Sequence, residues 1–203
     1  MLRICSLAIV FAAAGLVGIS SAAQDKKDAK KDPQDKQEKK EPQKPLSPTE
    51  TISADVGGKA IKITYSRPYT KDPKSDKMRK IWGELVPYGK PWRTGANAAT
   101  ALETEVDLTV GGANVPAGKY TIYMIPEEKG ASKLAISKTT GQPGEPVDDK
   151  NDLVRVDLKK DNLEKSVDQF TIVIALEKGQ SNGTLQLKWE NTQFSVPIAV
   201  GKK

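Results

Sequence analysis

Residues 57–65 read Gly-Gly-Lys-Ala-Ile-Lys-Ile-Thr-Tyr, and this stretch decides the fold class. From Ala60 to Tyr65 apolar and polar residues alternate, which is the period of a β-strand with one buried face. Gly57-Gly58 is typical of a two-residue hairpin turn, because such turns need left-handed backbone that glycine adopts without steric cost. The stretch therefore predicts an antiparallel hairpin that pairs the alternating segment with Thr51–Val56.

The same two-residue period recurs along the rest of the chain. Seven further segments show it: Ala101–Val110, Lys119–Ile125, Lys133–Ser137, Leu153–Leu158, Gln169–Leu176, Thr184–Glu190 and Phe194–Val200. Ser75–Leu85 and Asp161–Val167 could each hold a helical turn or two, but the crossover helices of a parallel α/β fold are missing. We predict an all-β domain, a single antiparallel, jelly-roll-like β-sandwich of about eight or nine strands.

Composition divides the chain into three regions. Residues 1–23 contain Arg3, an apolar run and then small residues, as expected for a secretory signal peptide. The alternative is an uncleaved membrane anchor, but the apolar run Ile4–Ile19 has 16 residues, short of the roughly 20 that span a bilayer. Residues 24–48 hold eight lysines, six acidic residues and no aromatic residue, so we predict a disordered charged linker. Residues 49–203 fit one folded domain of a periplasmic or secreted bacterial protein.

Missing residue types exclude whole classes of chemistry. The chain has no histidine, which excludes Ser-His-Asp and Cys-His nucleophile systems and His-ligated zinc. Its one cysteine, Cys5, lies inside the predicted signal peptide, so the mature domain has no disulfide. The net charge is +6, or +5 once Arg3 is removed. Because lysines and acidic residues are interspersed along the chain, we predict no nucleic-acid partner.

The sequence also predicts no cofactor and no metal. No phosphate-binding or dinucleotide-binding glycine motif is present. Asp148–Asp152 is rich in oxygen ligands, but it lacks the glycine and the distal glutamate of a calcium-binding loop, and Lys150 interrupts it. We interpret this segment as a solvated turn.

The densest group of special residues lies in Ile81–Asn97, which contains two of the three tryptophans, two prolines and three glycines. Proline and glycine prevent a continuous element here, so the segment is predicted to be an irregular loop. Three of the four arginines of the mature chain lie in or near it, although the chain otherwise uses lysine. Arginine and aromatic side chains together favour a site for a polar or anionic small ligand or a glycan. The candidate site residues are Arg67, Arg79, Trp82, Tyr88, Trp92, Arg93, Thr94 and Asn97.

Two alternatives to a ligand site remain open. In the first, Arg67 and Arg93 form structural ion pairs with Glu84, Glu103 or Glu105, and the tryptophan rings close one end of the sandwich. In the second, carboxylates act in a hydrolase, as paired acidic groups do in glycosidases. The acidic candidates are Glu84, Glu103, Glu105 and Asp107, but those after Leu102 share one strand face that we expect to meet solvent.

Five runs of sequence resemble the bacterial DUF2911 family, a group of exported domains of uncharacterised function. They are Arg67-Pro68, Arg79–Gly83, Leu85–Gly89, Trp92–Asn97 and Val115–Tyr120. The resemblance covers roughly Ile52–Val200 and implies an exported, β-rich bacterial domain. Family members often carry glutamate after the asparagine of this motif, whereas Ala98 stands here, so no acid–base role is carried over to that position. The insert Thr70–Lys77 is also longer and more charged than the corresponding family segment.

These observations favour an exported, non-catalytic binding module with a small polar or anionic ligand or a glycan as its partner. The alternatives are an envelope domain that binds another protein and, less favoured, a hydrolase that works through carboxylates. We predict no stable membrane span once the signal peptide is removed.

Overall fold

The computed structural model of the chain describes residues 46–143, 149–176 and 181–201. The predicted signal peptide, residues 1–23, lies outside the described residues, as does the predicted linker apart from its last three residues. None of the helical structure in the described ranges is long and apolar enough to cross a membrane.

The described residues form nine strands and one short 3-10 helix, Asp149–Asn151. The strands are β1 Thr49–Val56, β2 Lys59–Ser66, β3 Thr100–Thr104, β4 Leu108–Val110, β5 Ala113–Val115, β6 Gly118–Ile125, β7 Ser132–Ser137, β8 Asp152–Leu176 and β9 Asn182–Val200. Neighbouring strands are antiparallel and follow the order β1-β2-β3-β6-β7-β8-β9-β4-β5 in one hydrogen-bonded sheet. The predicted all-β class and antiparallel pairing are confirmed.

The hairpin that decided the fold class is present. Val56 pairs with Lys59 across the turn, and the register continues to Thr49 opposite Ser66. Gly57 and Gly58 have φ values of 62° and 80°, the left-handed conformation that non-glycine residues adopt only at a steric cost.

Strands β8 and β9 are longer than the sequence pattern predicts. Asp161–Val167, which could have held a helical turn, instead continues β8 and pairs with β9. The register shifts between Asn162 and Val167, and Glu190 opposite has a φ of 50°, which marks a β-bulge. A bulge interrupts the alternation of side chains between the two faces of a strand. The sequence pattern therefore predicts two separate strands where the backbone forms the single strand β8.

Segment Ala101–Val110, predicted as a single strand, is divided between β3 and β4. β3 pairs with β2 and β6, whereas β4 pairs with β9 at the other end of the strand order. Thr104 marks the division, since its hydroxyl donates to the carbonyl of Val106 at 2.6 Å and thereby supports a local turn.

Strands from both ends of the sheet contribute to one apolar core. A core cavity of about 20 Å³ is lined by side chains from β2, β3, β4, β6, β7, β8 and β9: Ile61, Ile63, Leu102, Leu108, Val110, Ile122, Ile136, Ile174, Leu185 and Ile198. The strands form one continuous ladder, and their description as a jelly-roll-like sandwich stays a prediction.

Candidate functional site

The irregular segment between β2 and β3 is attached to the sheet at two places. Trp92 pairs with Met124 of β6, with N···O distances of 2.7 and 2.9 Å in the two directions. Tyr69 pairs with Gln169 of β8 in the same antiparallel manner. These isolated bridges hold the predicted loop against the body of the domain.

The tryptophans of this loop belong to an aromatic cluster in the core. Trp92 is 8% exposed, and its ring stacks on Trp189 of β9 with centroids 5.8 Å apart. Trp82 packs edge-on against Trp92 at 6.0 Å and Phe194 at 5.2 Å. Phe170 completes the cluster, 5.0 Å from Trp92. These contacts give both loop tryptophans a packing role.

Arg67 also has a structural role. Its guanidinium lies 3.2 Å from the Glu50 carboxylate, and it donates to the Phe170 carbonyl at 3.0 Å and the Thr171 hydroxyl at 2.8 Å. Tyr65 donates to the same carboxylate at 2.8 Å, and burial raises the pKa of its hydroxyl to about 12. Arg67 therefore joins β1 to the second half of β8. The sequence alternative expected ion pairs with Glu84, Glu103 or Glu105, and the observed partner is a different one, Glu50.

Thr94 is fully buried, with a φ of 55°. Left-handed backbone is a strained state for a β-branched residue. Its hydroxyl donates to the Trp92 carbonyl at 3.3 Å, and its own carbonyl accepts from the Thr100 hydroxyl at 2.7 Å. Asn97 is left-handed as well, with a φ of 59°. Two strained non-glycine residues so close together indicate a backbone that its surroundings hold in place.

Beside this strained turn lies a pocket of about 240 Å³, which we call the arginine pocket. It is lined by ten residues from the loop, the start of the domain and β9: Ser47, Pro68, Arg79, Leu85, Trp92, Arg93, Gly95, Ala96, Asn97 and Trp189. The structure therefore brings four of the eight predicted site residues together. Arg67, Trp82, Tyr88 and Thr94 do not line the pocket.

Backbone carbonyls hold both arginines of the pocket. Arg79 donates through Nε to the Thr70 carbonyl at 3.4 Å and through a terminal nitrogen to the Tyr69 carbonyl. Arg93 donates to the Asn97 carbonyl at 2.6 Å. Contacts of this kind fix the orientation of a guanidinium group.

Asn97 links the pocket to the start of β1, since its side-chain amide donates to the Ser47 carbonyl at 3.3 Å. The indole N–H of Trp189, which lines the pocket, is buried and has no hydrogen-bond partner in the part of the chain that the structure describes. Buried indole N–H groups normally find an acceptor. The pocket thus combines two guanidinium groups, a side-chain amide and aromatic rings.

Tyr88 is half-buried and lies beside Gly83 instead of in the pocket. A β-carbon placed on that glycine would be 2.9 Å from the tyrosine ring. Tyr88 therefore packs within the loop itself.

The acidic candidates for hydrolysis each have a separate structural partner. Glu84 pairs with Lys80 at 3.1 Å and Glu103 with Lys119 at 3.3 Å. Glu105 accepts from the Ala60 amide, and Asp107 from the Ala117 amide, both at 2.7 Å. None of the four lines the arginine pocket.

The oxygen-rich segment Asp148–Asp152 is described from Asp149 onward. Arg155 binds Asp152 at 2.6 Å and Asp149 at 3.2 Å. These acidic side chains therefore form ion pairs with a neighbouring arginine. The described ranges hold no group of three or more candidate metal ligands.

Residues 47–198 match the family described as "Protein of unknown function (DUF2911)". The chain belongs to the DUF2911 family. The match includes all ten residues of the arginine pocket, so the pocket is part of the DUF2911 domain. No curated protein and no solved structure matches the chain.

Sequence reasoning missed six pocket residues of this DUF2911 domain: Ser47, Pro68, Leu85, Gly95, Ala96 and Trp189. Trp189 is about a hundred positions from the loop in sequence, and it sits in the alternating pattern of β9 like any core residue. Leu85 lies within the loop motif, and this position could have indicated a pocket residue. It was not chosen because it is apolar and the candidates were polar or aromatic side chains.

Substitution of Gly95 measures how tightly the turn beside the arginine pocket is packed in this DUF2911 domain. A β-carbon there would lie 2.8 Å from the Ser66 carbonyl oxygen, whereas one on Gly89 would meet nothing within 4 Å. Both glycines have positive φ, 152° and 70°. We expect Gly95→Ala to lower the free energy of unfolding by about 2–3 kcal/mol and Gly89→Ala by about 1 kcal/mol, as measured by urea unfolding. Equal losses would contradict the close approach at Gly95.

Proposed function

We propose that this chain is an exported, non-catalytic binding module that takes a small polar or anionic ligand into the arginine pocket. The observation that carries the proposal is the lining itself. Among the described residues of the lining, the charged side chains are Arg79 and Arg93, and they lie beside Asn97 and two tryptophans. Arginine forks recognise carboxylate and phosphate oxygens, and aromatic rings supply contact area to the rest of a ligand.

Charge around the pocket supports an anionic ligand. Residues 70–97 contain seven lysines and arginines and three acidic residues, a difference of +4. A field of one sign attracts ligands of the opposite charge and raises their rate of association. The volume of about 240 Å³ is slightly below the range of roughly 300–1,000 Å³ for drug-sized ligands, which suits a small molecule or one end of a longer one.

The lining supports binding in preference to catalysis. None of the ten residues is an aspartate, glutamate, lysine, tyrosine or cysteine, so no side chain there is suited to act as a general base. Ser47 carries a hydroxyl, but the lining offers no base to activate it. The proposed export rests on Arg3 and the apolar run that follows it.

Isothermal titration of the purified protein tests this function. The panel comprises short dicarboxylates, inorganic phosphate and simple sugars, with tryptophan fluorescence as a second signal because Trp92 and Trp189 line the pocket. We expect at least one anion to bind and Arg93→Lys to weaken it about tenfold, since lysine keeps the charge but loses the bidentate fork.

Lys90→Met is the matched control, because it removes a charge from the same loop at a position outside the lining. It should change affinity by less than about twofold, as expected for a charge screened by salt and solvent. No heat and no fluorescence change with any member of the panel would contradict the proposed function. So would equal losses in the two variants.

A further inference from the structure

Residues 70–80 form a small hairpin within the loop, which we call the lysine hairpin. Lys71 lies opposite Met78 in an isolated antiparallel bridge, between two backbone hydrogen bonds of 2.8 and 3.1 Å. Side chains of such an opposed pair share one face, and they approach most closely where the pair itself exchanges no hydrogen bond. The Lys71 and Met78 side chains therefore lie next to each other on one face of the hairpin.

The other face of the lysine hairpin is attached to the domain. Thr70 is buried, and its amide and hydroxyl both donate to the Asp168 carbonyl of β8, at 2.7 and 2.9 Å. Arg79, which is bonded to Thr70 across the hairpin, is half-buried and lines the arginine pocket. Since side chains alternate between the faces of a strand, Lys71 and Met78 face away from the domain. Their exposed fractions agree, 51% for the Lys71 side chain and 65% for Met78.

The lysine hairpin is strongly basic. It has five basic and two acidic residues, a net charge of +3, and all four of its lysines are exposed. The Asp72 carboxylate accepts from the amides of Lys74 and Ser75 at 2.8 and 3.4 Å and so supports the turn. The Asp76 carboxylate lies 3.5 Å from Lys71, but its side chain is 86% exposed, and an ion pair in that setting is weak. The acidic groups therefore neutralise the lysines only in part.

Lysines around one exposed apolar side chain suit an anionic lipid surface. Each lysine close to such a surface strengthens binding about fivefold, and its aliphatic stem can lie along apolar material while the ammonium group stays in water. Methionine is flexible and apolar, and it fits the boundary between headgroups and acyl chains. A protein partner would need a larger apolar or aromatic centre of contact. Within the described hairpin, Met78 is the one exposed large hydrophobic residue.

We propose that the lysine hairpin docks this domain on a membrane surface that contains anionic phospholipids. Lys71, Lys74 and Lys77 lie against the headgroups, and Met78 enters the layer between them. This attachment is peripheral and needs no membrane span. It goes beyond the proposed ligand-binding function and does not depend on the occupant of the arginine pocket.

Co-sedimentation with phospholipid vesicles tests the inference. The protein is the chain without its predicted signal peptide, residues 24–203, so that the apolar run of that segment does not contribute. The vesicles are phosphatidylcholine alone, or equal parts of phosphatidylcholine and phosphatidylglycerol. We expect the anionic vesicles to bind at least about tenfold more tightly. Sodium chloride at about 1 M should remove most of this difference, because it screens charges beyond roughly 3 Å.

Variants of exposed residues locate the binding surface. The double variant Lys74→Gln and Lys77→Gln should weaken binding to the anionic vesicles at least about tenfold. Lys59→Gln with Lys62→Gln is the matched control, since it removes the same charge from exposed positions of β2, and it should weaken binding less than about threefold. Met78→Ser should weaken binding about threefold to tenfold. All five side chains are exposed, so the variants are expected to fold normally.

Several outcomes would overturn the inference. Equal losses in the two double variants would mean that net charge, and not the hairpin, attracts the vesicles. Unchanged binding of Met78→Ser would exclude its entry into the headgroup layer. Equal binding to both kinds of vesicle would exclude recognition of anionic lipid. Retention on immobilised polyglutamate without binding to the anionic vesicles would assign the surface to an acidic polypeptide instead.

Discussion

Replacing Trp92 with alanine is expected to lower the free energy of unfolding by about 3–5 kcal/mol. The indole is almost fully buried, stacked on Trp189 and packed against Phe170. Truncation would remove this apolar contact and leave a cavity between the loop and β9, because a close-packed core relaxes only partly. Urea unfolding followed by circular dichroism measures the loss without depending on the tryptophan signal.

Tyr88→Ala in the same loop is the matched control. Tyr88 is half-buried and lies outside the aromatic cluster, so its loss should cost no more than about 1–2 kcal/mol. Similar losses for the two variants, or a loss below about 1 kcal/mol for Trp92→Ala, would show that the cluster does not anchor the loop.

Arg67→Met is expected to lower the free energy of unfolding by about 3–4 kcal/mol. The Arg67 side chain is 24% exposed, and its guanidinium contacts Glu50 and donates to two groups of β8, the Phe170 carbonyl and the Thr171 hydroxyl. Methionine keeps much of the apolar stem but leaves these acceptors without their donor. The measurement is again the midpoint and slope of urea unfolding.

Lys71→Met supplies the comparison for a surface ion pair. Lys71 lies 3.5 Å from Asp76, and both side chains are more than half exposed, so its removal should cost about 0–1 kcal/mol. If Arg67→Met costs no more than Lys71→Met, the link between β1 and β8 is unimportant for stability.

The sequence predicted those parts of the fold that depend on neighbouring residues. The Gly57-Gly58 hairpin and the alternation of β2 are local, because turn chemistry and side-chain period act over a few positions. The continuity of β8 through Asp161–Val167 was not predicted. It depends on backbone pairing with β9 across a bulge, and a bulge interrupts the period on which the sequence interpretation relies.

The candidate site was predicted in composition but not in arrangement. The concentration of arginine and tryptophan identified the loop, and Arg79, Trp92, Arg93 and Asn97 line the pocket. Sequence alone could not assign Arg67 to a structural link, because its partners at Phe170 and Thr171 are more than a hundred positions away. The side-chain directions in an irregular loop follow no period, so the sequence also did not indicate that Thr94 is buried.

The central claim is that the arginine pocket binds an anion. It is tested most directly by NMR titration of the isotope-labelled protein with citrate, a small carboxylate ligand. The account predicts that the indole signals of Trp92 and Trp189 and the amide signals of Gly95–Asn97 shift and saturate together. The surface lined by Lys133, Arg155 and Asp157, where both cations are paired with acidic residues, should not respond. Shifts confined to that second surface, or none at the pocket turn, would contradict the account.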